Sequence, residues 1–98
     1  MEQITPREVE ELLITNKEVN IIDVREVDEV AAGKIPGAIN IPLGLLQFKF
    51  HELDKNKEYI MVCRSGARSG NATMFLEYQG FKVKNMVGGM ISWKGKVS

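Results

Sequence analysis

The residues that could do covalent chemistry lie in one short run, Cys63-Arg64-Ser65-Gly66-Ala67-Arg68-Ser69-Gly70. Cys63 is the only cysteine of the sequence, so its thiol cannot form an internal disulfide or join a clustered-thiolate metal site. We therefore expect no bound metal and no cofactor. A thiol becomes a strong nucleophile when it ionises, and nearby positive charges favour the thiolate. The two arginines of the run, with no acid between Cys63 and Gly70, indicate such a nucleophile.

The cysteine run is predicted to form a loop between a buried strand at 59–62 and a helix at 68–79 that Gly80 ends. In parallel α/β sheets, ligands bind at the carboxyl ends of the strands. If the loop curls around Cys63, its successive N–H groups form an anion-binding nest, and the positive end of the helix adds to it. We predict Cys63 as the catalytic residue. The residues predicted to bind the substrate are Arg64, Ser65, Gly66, Ala67, Arg68 and Ser69.

Strands and helices alternate along the rest of the chain. Thr5-Pro6-Arg7-Glu8 has the pattern of a capping box that opens a helix. Further strands are predicted at 20–24, 39–41 and 81–87, further helices at 26–32 and 43–53, and a last short helix after Gly88-Gly89. This alternation predicts an α/β fold with a mainly parallel sheet, and the length of 98 residues predicts a single domain over 1–98.

Charge and hydropathy narrow the classes of partner. The 13 basic and 13 acidic residues cancel, so no overall field attracts nucleic acid or an anionic membrane. No segment approaches the roughly 20 apolar residues of a membrane span, and the first residues lack the pattern of a secretory signal. A lone cysteine suits a reducing compartment. We therefore expect a cytoplasmic monomer that binds neither nucleic acid nor a membrane.

The spacing of the arginines distinguishes between two uses of a nucleophilic cysteine. Cysteine-based phosphatases place five residues between the cysteine and the arginine that clamps the phosphate. Here Ser69 stands at that spacing, and Arg68 comes one position early. The six-residue loop from Cys63 to Arg68 encloses a smaller space, which suits a single transferred sulfur better than a phosphoryl group.

Four segments together make the chain resemble a single-domain rhodanese over nearly its whole length. They are the stretches at 23–26 and 33–42, the cysteine loop, and the stretch at 88–93. The resemblance implies a rhodanese-like fold, with a five-stranded mainly parallel sheet and helices on both faces, and it implies thiosulfate sulfurtransferase activity. Lys34 stands where the family often has a histidine, next to a turn that does not carry the nucleophile.

The mechanism expected from this resemblance is a transfer of sulfur through a persulfide on Cys63. Its thiolate would take the outer sulfur of thiosulfate or of a persulfide donor and pass it to cyanide, to a small thiol or to a partner protein. Two alternatives stay open. One is a noncatalytic regulatory module with this fold and an unreactive thiol, and the other is a cysteine-based phosphatase or arsenate reductase.

Other residues with reactive side chains have a structural interpretation. We expect Asp23 and Arg25 to anchor loops by an ion pair, and His51 to lie on the surface. Trp93 is predicted to pack in the core. The acids Glu26, Asp28 and Glu29 are predicted to form a solvated helix face, favoured by the helix dipole.

Overall fold

The computed structural model describes residues 1–15 and 18–98, and it contains a five-stranded sheet in which every pair of neighbouring strands is parallel. The strand order is β1-β5-β4-β2-β3. The predicted α/β fold with a five-stranded parallel sheet is confirmed. The strands are β1 (Gln3–Ile4), β2 (Asn20–Asp23), β3 (Ile39–Asn40), β4 (Glu58–Val62) and β5 (Lys82–Met86).

Among residues 1–15 and 18–98, four α-helices connect the strands, a 3-10 turn at Phe50–Glu52 follows the third helix, and a second 3-10 turn at Gly89–Ser92 follows β5. The helix predicted at 43–53 therefore ends as an α-helix at Lys49, and its last residues tighten into a 3-10 turn around Phe50. No helix in the described ranges is long and apolar enough to cross a membrane. The helices are α1 (Pro6–Thr15), α2 (Val27–Ala31), α3 (Leu43–Lys49) and α4 (Ala67–Tyr78).

Strand β1 is the one strand that the residue pattern did not predict. It contains two residues, which is too short for any periodicity to be read. It forms because β5 offers an open edge: the Asn85 N–H donates to the carbonyl of Glu2 at 3.0 Å, and the Val87 N–H donates to the carbonyl of Ile4 at 2.9 Å. Residues 3–4 therefore form a strand because they pair with the distant β5, and not because of their own sequence.

The start of α1 confirms the predicted capping box. The Glu8 N–H donates to the Thr5 hydroxyl at 3.1 Å, and the Thr5 N–H donates to the Glu8 carboxylate at 2.9 Å. The bonds from Thr5, first the backbone N–H and then the hydroxyl, lower the pKa of Glu8. The local pattern alone was enough here, because both partners lie within four residues.

Helices cover both faces of the sheet, and the strands divide their side chains between two apolar clusters. Ile22 and Met61 face the cluster that contains Leu46 of α3 and Leu76 of α4. The adjacent residues Ile21, Ile60 and Val62 point to the opposite face, toward the cluster that contains Val9 of α1. This alternation follows from the two-residue period of a strand. Cys63 belongs to the first cluster, on the side of α3 and α4.

The strand order places a crevice at the carboxyl ends of β2 and β4, which are neighbours in the sheet. The connection through α2 leads from β2 to β3 on one side, whereas the connection through α4 leads from β4 to β5 on the other. Ligands in open α/β sheets bind where neighbouring connections diverge in this way. The cysteine loop and the segment that follows β2 therefore meet at one edge of the sheet.

The core can be tested with two adjacent leucines of α3. Leu46 is 2% exposed and Leu45 is 45% exposed. We expect Leu46→Ala to lower the free energy of unfolding by about 2–5 kcal/mol, because it removes a fully packed side chain and leaves a cavity. Leu45→Ala should change it by about 0.5 kcal/mol or less. Urea denaturation followed by circular dichroism measures both, and equal losses would contradict the described packing.

Candidate active site

Cys63 directly follows β4, and its sulfur is surrounded by hydrogen-bond donors although the residue is only 1% exposed. The Gly66 N–H donates to Sγ at 3.0 Å. The Ser69 hydroxyl lies 3.2 Å from Sγ and can donate to it as well. A buried thiol without a chemical role would face apolar neighbours alone, whereas this sulfur has partners that stabilise a negative charge.

Two opposing effects set the ionisation of Cys63. Burial raises the pKa of the thiol, because the charged form loses its contact with water. The hydroxyl of Ser69 and the backbone N–H groups of Ser69, Gly66 and Ser65 lower it by bonding to the thiolate. The donors together outweigh burial, so the pKa of Cys63 is lower than that of an ordinary cysteine.

Gly66 lets the loop turn from the strand into the helix. Its φ is +106°, a backbone angle that residues other than glycine rarely adopt. Its carbonyl accepts from the Gly70 N–H at 2.9 Å and so begins α4, while its own N–H faces the sulfur. The start of α4 thus lies beside Sγ.

A second turn, Gly88-Gly89-Met90-Ile91, binds the carbonyl groups at the start of the cysteine loop. The Met90 N–H donates to the Cys63 carbonyl at 2.9 Å, and the Ile91 N–H donates to the Arg64 carbonyl at 3.0 Å. The N–H and C=O of a trans peptide point in opposite directions. Fixing these two carbonyls therefore turns the N–H groups of Arg64 and Ser65 away from the second turn.

Gly89 makes this contact between the two turns sterically feasible. A Cβ at this position would overlap the carbonyl of Arg64, and it would lie 2.6 Å from the carbonyl oxygen of Cys63. Its φ of +59° also lies in the left-handed region that favours glycine. The turn at 88–91 can approach the cysteine loop because this residue has no side chain.

Arg68 does not extend freely into solvent, because it is bound by Glu29 of α2. The two terminal guanidinium nitrogens donate to the two carboxylate oxygens at 2.7 and 2.8 Å. Hydrogen bonds from the Arg68 side chain, and then from the Glu26 N–H, lower the pKa of Glu29 to about 2, and the bond to Glu29 raises the pKa of Arg68. Glu26 and Asp28 are exposed, as expected for a solvated helix face, whereas Glu29 is partly buried and pairs with Arg68 of the cysteine loop.

The remaining residues of the loop lie at its outer side. Ser65 and Ala67 are exposed, and Ala67 is the first residue of α4. Arg64 is exposed and forms no ion pair with the residues that the structure describes. Beside it lies a depression of about 320 Å³, which is lined by Arg25, Glu29, Arg64, Met90 and Ile91.

Asp23 and Arg25 form a buried ion pair beneath this depression. The guanidinium of Arg25 donates to both oxygens of Asp23 at 2.8–3.1 Å, and it also donates to the carbonyl of Gly33 at 2.8 Å. A longer bond of 3.4 Å reaches the carbonyl of Glu29. The structural interpretation of this pair is confirmed: it ties α2 and the residues that follow the helix to the end of β2.

Asn85 of β5 is a site residue that the sequence analysis did not identify. It is 3% exposed, and its amide contacts the Ser69 hydroxyl on one side and the Gly66 carbonyl on the other. One signal was present, because asparagine is depleted in strands and the residue stands within a strand pattern. Its role could not be read, because Ser69 lies 16 positions away.

Two side chains with reactive groups lie elsewhere. His51 is exposed in the first 3-10 turn, with its ring 6.4 Å from that of Phe50. Trp93 packs against the apolar cluster on the α1 side, and its indole N–H donates to the carbonyl of Lys96 at 3.0 Å. Both positions agree with the structural roles expected for these residues.

Comparison with known proteins agrees with this arrangement. The model of the rhodanese-like domain family matches residues 5–96. The chain is 44% identical over 96 residues to "Putative sulfurtransferase YtwF" of Bacillus subtilis, covering 98% of this chain and 93% of the relative. It is 32% identical over 83 residues to "Thiosulfate sulfurtransferase GlpE" of Coxiella burnetii, covering 84% and 78% of the two chains.

A solved structure with a similar fold is the rhodanese-like domain protein of Staphylococcus aureus. The two superpose with a TM-score of 0.95 at 35% sequence identity, covering 100% of this chain and 97% of the other. The family match, the sequence identity and the shared fold all extend over nearly the whole length. This chain is therefore a member of the rhodanese-like domain family.

Proposed function

We propose that this protein is a thiosulfate sulfurtransferase that carries the transferred sulfur as a persulfide on Cys63. The observation that carries the proposal is the ring of donors about Sγ, which favours the thiolate in a buried position. A thiol with a lowered pKa at the carboxyl end of β4 is more easily activated as a nucleophile than an ordinary cysteine. The catalytic residue is Cys63. The substrate-binding residues proposed with it are Arg64, Ser65, Gly66, Ala67, Arg68 and Ser69.

In the first half-reaction, the thiolate of Cys63 attacks the outer sulfur of thiosulfate. A bond forms between Sγ and that sulfur, the S–S bond of thiosulfate breaks, and its electron pair leaves with sulfite. The outer sulfur of the resulting persulfide carries the negative charge. The backbone donors of the loop stabilise this charge in the same way as an oxyanion hole stabilises a developing alkoxide.

In the second half-reaction, an external nucleophile takes the outer sulfur. The persulfide bond breaks, its electron pair returns to Sγ, and the thiolate is restored. Because the sequence has no second cysteine, the acceptor comes from outside, as a small thiol, a partner protein or cyanide in an assay. We infer a reducing compartment such as the cytoplasm for this cycle, since an unpaired thiolate is oxidised elsewhere.

Two features of the site support a small anionic donor. Cys63 is 1% exposed, so a donor must present a narrow terminal sulfur, which thiosulfate does and a bulky phosphate ester does not. The exposed guanidinium of Arg64 supplies positive charge beside the loop, while the charge of Arg68 is balanced by Glu29. The relative named as a thiosulfate sulfurtransferase supports the same donor.

The central prediction concerns the persulfide itself. Incubation with thiosulfate should add the mass of one sulfur atom to the peptide that contains Cys63, because the thiolate retains the outer sulfur. Cyanide should then remove that mass and release an equal amount of thiocyanate. Mass spectrometry and a colorimetric thiocyanate assay measure the two steps.

Cys63→Ser is the matched control, because it replaces the sulfur by oxygen at a site whose donors remain in place. It should take up no sulfur and release no thiocyanate. If the unsubstituted protein also gains no mass while it hydrolyses an aryl phosphate, the sulfurtransferase proposal is wrong and a phosphatase is favoured. If it gains no mass and shows neither activity, the noncatalytic module is favoured.

The contact between the two turns predicts a second result. Gly89→Ala should lower the rate of thiocyanate formation about 10- to 100-fold, since the new methyl group pushes the turn at 88–91 away from the cysteine loop. Gly37→Ala is its control, because Gly37 also has a positive φ, of +83°, but no atom lies within 4 Å of its Cβ position. Both variants should lose about 1–2 kcal/mol of stability from the backbone strain alone. Equal activity of the two variants would show that the contact is unimportant.

The exposed charge of Arg64 predicts a third result. Arg64→Ala should raise the KM for thiosulfate about five-fold at low salt with little change in kcat, which corresponds to ~1 kcal/mol of attraction in water. The effect should shrink as ionic strength rises. Arg7→Ala on α1, which removes the same charge elsewhere, should leave KM unchanged. A KM that responds equally to both substitutions would mean that only the net charge matters.

A further inference from the structure

Asn85 is a polar residue in the interior of the sheet. It belongs to β5, is 3% exposed and is in register with Met61, a residue of the first apolar cluster. Burying an amide costs free energy unless both its ends find hydrogen-bond partners. The partners that Asn85 finds therefore indicate what the residue does.

Both of those partners belong to the cysteine loop. The Asn85 Nδ2 group donates to the Gly66 carbonyl at 3.2 Å, and Oδ1 accepts from the Ser69 hydroxyl at 2.5 Å. Gly66 and Ser69 also donate to Cys63 Sγ, the first through its N–H and the second through its hydroxyl. A single side chain thus contacts two of the residues that stabilise the thiolate.

The Ser69 hydroxyl has one proton and two acceptors within reach. Sγ of Cys63 lies 3.2 Å from its oxygen on one side, and Oδ1 of Asn85 lies 2.5 Å away on the other. The amide of Asn85 cannot rotate to relieve this competition, because its NH2 group is held by the Gly66 carbonyl. Whenever the hydroxyl turns to the sulfur, Oδ1 loses the donor that it has among the described residues.

We propose that Asn85 is a positioning residue that shares the hydroxyl proton of Ser69 with the sulfur of Cys63. The proton bonds to Oδ1 when Sγ carries no charge, and the hydroxyl rotates to Sγ when the thiolate forms. Asn85 thereby makes the hydroxyl a donor that responds to the charge on the sulfur. No proton is transferred in this step, because only the O–H bond changes direction.

This inference rests on the proposed function where it concerns the catalytic cycle. In the persulfide, the charge lies on the outer sulfur, and Asn85 holds the Ser69 proton away from Sγ. When an acceptor removes the outer sulfur, the electron pair of the S–S bond returns to Sγ. The hydroxyl then turns from Asn85 to the sulfur and stabilises the departing thiolate, as a general donor to a leaving group does.

Charged groups lie near Cys63 on four parts of the fold. Arg64 lies in the loop itself, Arg68 lies on α4 and interacts with the charge of Cys63, and Glu29 of α2 balances Arg68. At the end of β2, Asp23 and Arg25 balance each other. Replacing Asn85 by an uncharged residue leaves all of these groups in place. A change in the ionisation of Cys63 can then be assigned to the hydroxyl and not to a charge.

The test compares thiolate formation in the unsubstituted protein, in Ser69→Ala, in Asn85→Leu and in the double variant. Ultraviolet absorbance measured against pH reports the thiolate, and Cys63→Ser serves as the blank. Ser69→Ala should raise the pKa of Cys63, because it removes a donor. Asn85→Leu should lower it by about one unit, since the hydroxyl then serves the sulfur alone. The double variant should match Ser69→Ala, because without the hydroxyl Asn85 has nothing to share. The measurement needs no sulfur donor, so it stands even if the sulfurtransferase proposal fails.

A purely structural Asn85 gives a different pattern. Its loss would loosen the loop and raise the pKa of Cys63 whether residue 69 is serine or alanine. That result would overturn the proposal. If Asn85→Leu does not fold, Asn85→Ala makes the same comparison with a smaller side chain. In the unsubstituted protein, the side-chain carbonyl carbon of Asn85 should shift in NMR spectra with the same midpoint as Cys63, and a resonance that does not change with pH would also overturn the proposal.

Discussion

The competition between burial and hydrogen bonding at one sulfur atom governs the organisation of this protein. Removal of Cys63 from water opposes its charge, and a buried thiolate would be unstable if the loop offered only apolar neighbours. The loop instead directs N–H groups and a hydroxyl at Sγ, and these reverse the effect of burial. The remaining contacts of the site keep those donors in place.

Support for the donors comes from three separate parts of the fold. The turn at 88–91 fixes the carbonyls on the back of the loop, β5 contributes Asn85, and α2 contributes Glu29. These three parts act indirectly on the sulfur. Each binds a group of the cysteine loop that either contacts the sulfur or lies next to it. Their convergence follows from the strand order, which places β4 between β2 and β5. Because the connections diverge at the centre of the sheet, the cysteine loop after β4 has neighbours on the β2 side and on the β5 side.

The same topology separates the two arginines of the loop into different roles. Both follow the cysteine in sequence and both could attract an anion. Arg68 is engaged by Glu29 through two charge-assisted hydrogen bonds, a strong and directional arrangement that fixes the guanidinium. Arg64 faces solvent beside a depression of about 320 Å³. The charge that an incoming substrate meets is therefore smaller than a count of arginines suggests.

Features that depend on neighbours along the chain could be predicted from the residues alone. The capping box at Thr5, the strand directly before Cys63 and the end of α4 just before Gly80 could all be predicted, because their partners lie within a few residues. Three other features depend on the folded sheet: β1, the pairing of Glu29 with Arg68 and the contact of Asn85 with Ser69. Each of these joins residues 16 to 82 positions apart, as in the register of Gln3 with Asn85. Local propensity and spacing carry no information on which distant groups the folded sheet brings together.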